Sequence, residues 1–113
     1  MTMLLERSWV DVCDVDDVQI ERGVRVLVGN AHVAVFRTYD GGVHAIDAID
    51  PFSGASVLAR GIVGSKDGNP FVASPMYKQR FDLRTGVCLE DSTVSVRVYP
   101  VEIDGGRVRV GSP

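Results

Sequence analysis

Two stretches decide the fold: Val43-His44-Ala45-Ile46-Asp47-Ala48-Ile49-Asp50-Pro51-Phe52-Ser53-Gly54-Ala55 and Val72-Ala73-Ser74-Pro75-Met76-Tyr77-Lys78-Gln79-Arg80-Phe81-Asp82-Leu83-Arg84-Thr85-Gly86. Each begins as a strand, Val43 to Asp47 in the first and Phe71 to Ala73 in the second, and then breaks. Pro51 and Pro75 follow Asp50 and Ser74 directly and stiffen what comes next by fixing φ and removing a donor. Gly54 suits a backbone that needs free φ. The second stretch returns to strand over Arg80 to Leu83, with Phe81 packing inward and Thr85-Gly86 turning the chain. Ala48 to Ala55 and Ser74 to Gln79 are therefore loops, placed together at one end of a β-structure.

Outward from these loops, strand signals dominate. Val24, Val26 and Val28 alternate with Arg25 and Leu27, Val33 and Val35 with His32, Ala34 and Phe36, and Val108 and Val110 with Arg107 and Arg109. Such period-two alternation marks strands that bury one face. Trp9 to Cys13 and Ser95 to Ile103 complete the set. Gly29-Asn30, Asp40-Gly41-Gly42, Asp67-Gly68-Asn69-Pro70 and Asp104-Gly105-Gly106 supply the turns, since Asp-Gly and Gly-Gly pairs accept positive φ. No long 3.6-residue stripe occurs; Asp14 to Glu21 is helix or loop, and Leu58 to Ile62 adds a turn. At 113 residues and 45% hydrophobic, the chain makes one domain, 1–113, of all-β class: a small sandwich or barrel. No internal repeat or linker divides it.

Several function classes drop out. The net charge is -3 and the arginines are scattered, which excludes a nucleic-acid surface. The longest apolar runs are a few residues, far short of a membrane span. Met1 to Trp9 carries Glu6 and Arg7 and lacks an apolar signal stretch, so a cytoplasmic location is expected. Cys13 and Cys88 belong to no CxxC or CxH unit and are expected as buried thiols, a disulfide or shared metal being the sharper alternative. His32 and His44 are expected as partly exposed strand residues. Asp14, Asp16 and Asp17 lack the glycine and distal glutamate of a calcium loop and read as a solvated turn. Ser74, His44 and Asp50 hold triad residue types without a nucleophile elbow. Lys78 and Arg80 flank the second loop as a solvated rim, and no phosphate-cradling glycine loop is present.

The two stretches resemble the cluster loops of Rieske [2Fe–2S] domains, where Cys-x-His in the first and Cys-x-x-His in the second give two thiolates to one iron and two imidazoles to the other. Laid residue by residue, the first Cys falls on Asp50, its His on Phe52, the second Cys on Ser74 and its His on Tyr77. No ligand type survives, so the resemblance implies a Rieske-like frame with two former cluster-binding loops at one end and no cluster. Phe52, Met76 and Tyr77 are expected to fill the volume a cluster and two imidazoles would occupy, because a cavity there is costly. The alternative is an apolar tip that docks on a partner, with Lys78 beside it.

A lone Rieske-like domain of this length without ligands resembles one family in particular, the small subunits of assimilatory NAD(P)H-dependent nitrite reductase. The resemblance runs from Trp9 through Gly23-Val24-Arg25-Val26-Leu27-Val28 and both loops to Gly86. It implies an accessory subunit, inactive alone. Its partner would be a large subunit whose FAD, siroheme and [4Fe–4S] centres reduce nitrite to ammonia. A cluster-free interaction module of another oxidoreductase system is the competing reading; an electron-transfer ferredoxin, which the frame alone would suggest, is opposed by the absence of Cys and His at Asp50, Phe52, Ser74 and Tyr77.

Overall fold

The computed structural model describes residues 8–111, so the expectation for the N-terminal stretch lies, as far as Arg7, outside the described residues. Among these, strands run β1 (Trp9–Asp14), β2 (Arg22–Val28), β3 (Ala31–Arg37), β4 (Val43–Asp47), β5 (Ile62–Lys66), β6 (Asn69–Ala73), β7 (Arg80–Asp82), β8 (Val98–Tyr99), β9 (Val101–Asp104) and β10 (Arg107–Gly111). They form three antiparallel sheets, ordered β1-β10-β9, β2-β3-β4-β8 and β5-β6-β7. Two single 3-10 turns, Val15–Asp17 and Leu58–Arg60, are the helical content. The all-β expectation holds.

The central sheet lies between two cores. Side chains alternate across a strand, and β3 uses both faces. Ala34 and Phe36 join Ile46, Leu58, Val72, Phe81, Leu83 and Cys88 on the side of β5-β6-β7. Val33 and Val35 join Val18, Ala45, Tyr99, Val108 and Val110 on the side of β1 and β10. The expectation that this strand buries one face is corrected: Val33 through Phe36 are all 0% exposed, because a layer covers each side of the sheet.

Three further readings change. Ser95 to Ile103 is not one strand: it breaks at Pro100, which has no N–H for a ladder, and the chain passes from β8 in the central sheet to β9 in another. Asp14 to Glu21 is helical only over Val15–Asp17, where the Asp17 carboxylate accepts the Asp14 N–H. Ile62 opens β5 rather than ending a turn. Gly61 sits just before it, where a Cβ would collide with the Ala73 carbonyl oxygen and the Val72 side chain. That close approach ties the start of β5 to the end of β6. The second loop leaves from that end of β6.

Candidate functional site

Both loops are closed by the same two backbone hydrogen bonds. In the first, the Asp50 N–H donates to the Ala55 carbonyl (2.9 Å) and the Gly54 N–H donates back to the Asp50 carbonyl (2.7 Å). In the second, the Ser74 N–H donates to the Gln79 carbonyl (2.8 Å) and the Lys78 N–H to the Ser74 carbonyl (2.9 Å). The fifth residue of each turn is left-handed, Gly54 at φ 74° and Lys78 at φ 66°. Glycine takes that conformation freely and lysine at a cost. The first residue's side chain then accepts the N–H two positions on: Phe52 N–H to Asp50 Oδ1 at 2.8 Å, Met76 N–H to Ser74 Oγ at 3.2 Å. Pro51 and Pro75 fill second positions from which no N–H is required.

A third turn, Asp82 to Val87, repeats this geometry and the first loop's pattern as well: Asp82, Thr85 and Gly86 stand where Asp50, Ser53 and Gly54 do. The Asp82 N–H donates to the Val87 carbonyl (3.0 Å), the Gly86 N–H to the Asp82 carbonyl (2.7 Å) and the Arg84 N–H to Asp82 Oδ1 (2.7 Å). Gly86 has φ 78°.

The two tip loops are joined to each other. The Ser74 hydroxyl donates to Asp50 Oδ2 at 2.5 Å, with the residues 1% and 0% exposed. Both Asp50 oxygens are thereby engaged, one by the Phe52 N–H and one by Ser74, while Ser74 Oγ also accepts the Met76 N–H. A buried carboxylate is tolerable when its lone pairs are occupied in this way. In sequence, Asp50 and Ser74 stand as two missing ligands and as members of a triad with His44, not as a bonded pair. The signal that pairs them is an acceptor and a donor at equivalent positions of matching loops.

The outer positions are placed otherwise than expected. Phe52, Met76 and Tyr77 are 37%, 49% and 59% exposed, so they do not form the core of the tip. The Asp50–Ser74 bond joins the loop roots directly, and the three side chains stand exposed outside it. Phe52 keeps one aromatic contact, a tilted packing on Phe81 with ring centroids 6.2 Å apart. Lys78 is exposed beside Tyr77.

The remaining candidates sort simply. His44 lies beside Thr38, Asp40 and Gly42 at the opposite end of β4, so it makes no triad with Ser74 and Asp50, and burial holds its pKa below the ordinary value. His32 Nδ1 lies 3.1 Å from Ser56 Oγ. Arg80 is a strut rather than a free rim: its Nε donates to Glu90 at 2.6 Å and its guanidinium lies 5.4 Å from the centre of the Phe71 ring. Cys88 is buried in the core, and Cys13 is half-buried on β1, its thiol pushed up chiefly by burial; both are free. Beneath the first loop, the Tyr99 hydroxyl donates to Asp47 (2.8 Å), and burial followed by that carboxylate pushes the phenol up to about 12. Gln79 Oε1, at the end of the second loop, is buried without a protein partner.

As a metal-holding set these residues do not fit. Asp50 and Ser74 are committed to each other, Phe52 has no donor atom, and Tyr77 is an exposed phenol; Rieske chemistry needs thiolates and imidazoles. No group of three or more His, Cys, Asp or Glu suited to a metal ion occurs among the described residues. Nor is any helix there long and apolar enough to cross a membrane.

Residues 8–111 match the model of the Rieske-like [2Fe–2S] domain. The chain is 45% identical over 104 residues to the nitrite reductase (NADH) small subunit of Escherichia coli K12, covering 91% of this chain and 96% of that protein. It is 39% identical over 109 residues to the nitrite reductase [NAD(P)H] large subunit of Klebsiella oxytoca, covering 96% of this chain but 11% of that protein. Among solved structures, the NMR structure of the Escherichia coli protein NirD superposes with a TM-score of 0.87 at 42% identity, covering 95% of this chain and 98% of that one.

Proposed function

This chain belongs to the family of Rieske-like [2Fe–2S] domains, and we propose that it works as the small accessory subunit of an NAD(P)H-dependent nitrite reductase in the cytoplasm. The observation that carries this is the Klebsiella oxytoca relative, in which the counterpart of nearly the whole chain is one segment of a large subunit. A module that exists as part of that polypeptide in one organism and as a separate small subunit in others is a physical component of one enzyme.

The chemistry of reducing nitrite to ammonia would reside in FAD, siroheme and [4Fe–4S] centres of the large subunit. The present chain supplies binding and orientation. With Asp50 and Ser74 locked together, its loops offer no electron carrier. They offer a rigid tip whose outer side chains, Phe52, Met76, Tyr77 and Lys78, stand in solvent. Aromatic and methionine anchors of this kind dominate the energetics of protein interfaces. These four residues contact the large subunit, stabilising it or covering a cofactor, and the small chain alone turns over no nitrite.

The test is an affinity pull-down of the tagged chain from its own cells grown on nitrite as sole nitrogen source, read by mass spectrometry. Recovery of a flavin- and siroheme-containing reductase is expected. Recovery of a different redox protein, without such a reductase, would move the function to a docking module of another oxidoreductase system.

A further inference from the structure

The charged side chains divide the molecule into two unlike ends. Register fixes the geometry: Asp47 and Val33 lie level beside the tip loops, while Val43, Arg37 and Arg22 lie level at the opposite end. Acidic groups gather at that far end. Asp16 reaches Arg37 (3.9 Å), Asp14 pairs with Arg107 (2.9 Å), and the Glu21 N–H donates to the Arg37 carbonyl (2.6 Å). Glu21 and Asp40 share a cleft with Gly68, which brings the Asp67 turn to the same end.

The tip end is different. Arg25, Lys78 and Arg97 are exposed, and none has a carboxylate within 4.0 Å among the described residues; Arg22 and Lys66 at the far end also lack such a partner but share clefts with Glu21 and with Asp67 and Asp82. Arg97 faces Asp47 across the β8 edge and borders a recess with His32, Ile49 and Pro51. Arg25 reaches Ser56 Oγ (3.4 Å), and Ser56 pairs with Ile49 across the base of the first loop. Arg60 lies between the two ends, lining one cleft with Glu21 and Arg22 and another with Arg25 and Ser56. The carboxylates here are mostly engaged: Asp50 with Ser74, Asp47 with Tyr99 and the Arg97 N–H, Glu90 with Arg80. Asp91, exposed, accepts from Thr93 within its own turn.

We infer that the apolar tip and the three cations Arg25, Lys78 and Arg97 form one positively charged docking face, whose occupant is an acidic surface of the large subunit. This rests on the reading of the chain as that subunit's partner. A protein of net charge -3 gains little attraction to an acidic partner from its total charge. With its acidic groups turned away and unpaired cations around the tip, it is instead oriented tip-first on approach. Such complementarity acts mainly on the association rate and weakens with salt.

The test measures association of the full chain with the purified, cofactor-loaded large subunit by stopped flow from about 25 to about 400 mM NaCl, which shortens the screening length from roughly 20 to 5 Å. A fall in association rate of about tenfold or more across that range is expected. At low salt, Lys78→Glu, Arg97→Glu and Arg25→Glu should each slow association by about three- to tenfold. Lys78→Arg should keep the wild-type rate, and Arg22→Glu and Lys66→Glu at the far end should stay within about twofold. The neutralising Lys78→Gln and Arg97→Gln give the same reading should a reversal unfold the chain. A complex whose rate ignores salt and tip charge, or responds equally to the far-end variants, overturns this inference alone. Absence of any complex at every salt concentration overturns the subunit reading and this inference with it.

Discussion

Asp50 and Ser74 are buried and bonded to each other, whereas Phe52 and Tyr77, two and three residues further along the same loops, stand 37% and 59% exposed. The resemblance read from the sequence puts all four at ligand positions, yet the structure sorts them into two layers. The inner layer closes the tip through a hydroxyl–carboxylate bond. The outer layer leaves its aromatic side chains available to another surface. Within one tip, a buried bond thus serves structure at one depth while the next depth stands open to another surface.

The inner layer should give the largest effect. Asp50→Ala leaves the Ser74 hydroxyl and the Phe52 N–H buried without their acceptor and should cost about 3 kcal/mol in urea unfolding. An unchanged midpoint would erase the distinction between layers. The turns themselves provide the next contrast. At Gly86 a Cβ would collide with the Val96 carbonyl oxygen, while at Gly54 it meets open space, though both have positive φ. Gly86→Ala should therefore cost about 2 kcal/mol or more and Gly54→Ala about 1 kcal/mol, read from the same unfolding curves.

In the outer layer the effects should move from stability to binding. Phe52→Ala and Tyr77→Ala should each change stability by less than about 1 kcal/mol while weakening large-subunit binding by about 1–2 kcal/mol, close to tenfold in Kd by titration calorimetry. Loss of stability without loss of affinity would reverse their assignment. The smallest effect is a gain: Lys78→Gly relieves the left-handed backbone at φ 66° and should stabilise the fold by about 0.5–1 kcal/mol, while removing one cation from the docking face.

Much of this was legible in the sequence, for identifiable reasons. The alternating valines and the Asp-Gly and Gly-Gly turns carry local signals that survive in any context, and β4 spans Val43–Asp47 as read. Prolines after Asp50 and Ser74 mark both loops. What escaped depends on contacts between segments far apart in the chain. Strand β5, Ile-Val-Gly-Ser-Lys, has no alternation and is a strand because β6 pairs with it. The second buried face of β3 needs the β1-β10 layer above it. Phe52, Met76 and Tyr77 read as core because a cavity in place of a cluster and two imidazoles is costly; they stand exposed instead, outside an Asp50–Ser74 bond that joins residues 24 apart in sequence. The third turn, by contrast, has a local signal, since Asp82, Thr85 and Gly86 repeat the spacing of Asp50, Ser53 and Gly54.

The central claim, that a hydrogen bond between the loops holds the tip together in place of a metal, is tested most directly by a double-mutant cycle. Wild type, Asp50→Ala, Ser74→Ala and the double variant are compared by urea unfolding. The expected result is a coupling of roughly 1.5–3 kcal/mol, because removing both partners costs much less than the sum of removing each. Additivity within about 0.5 kcal/mol would contradict it, since the two loops would then be held by something other than this bond.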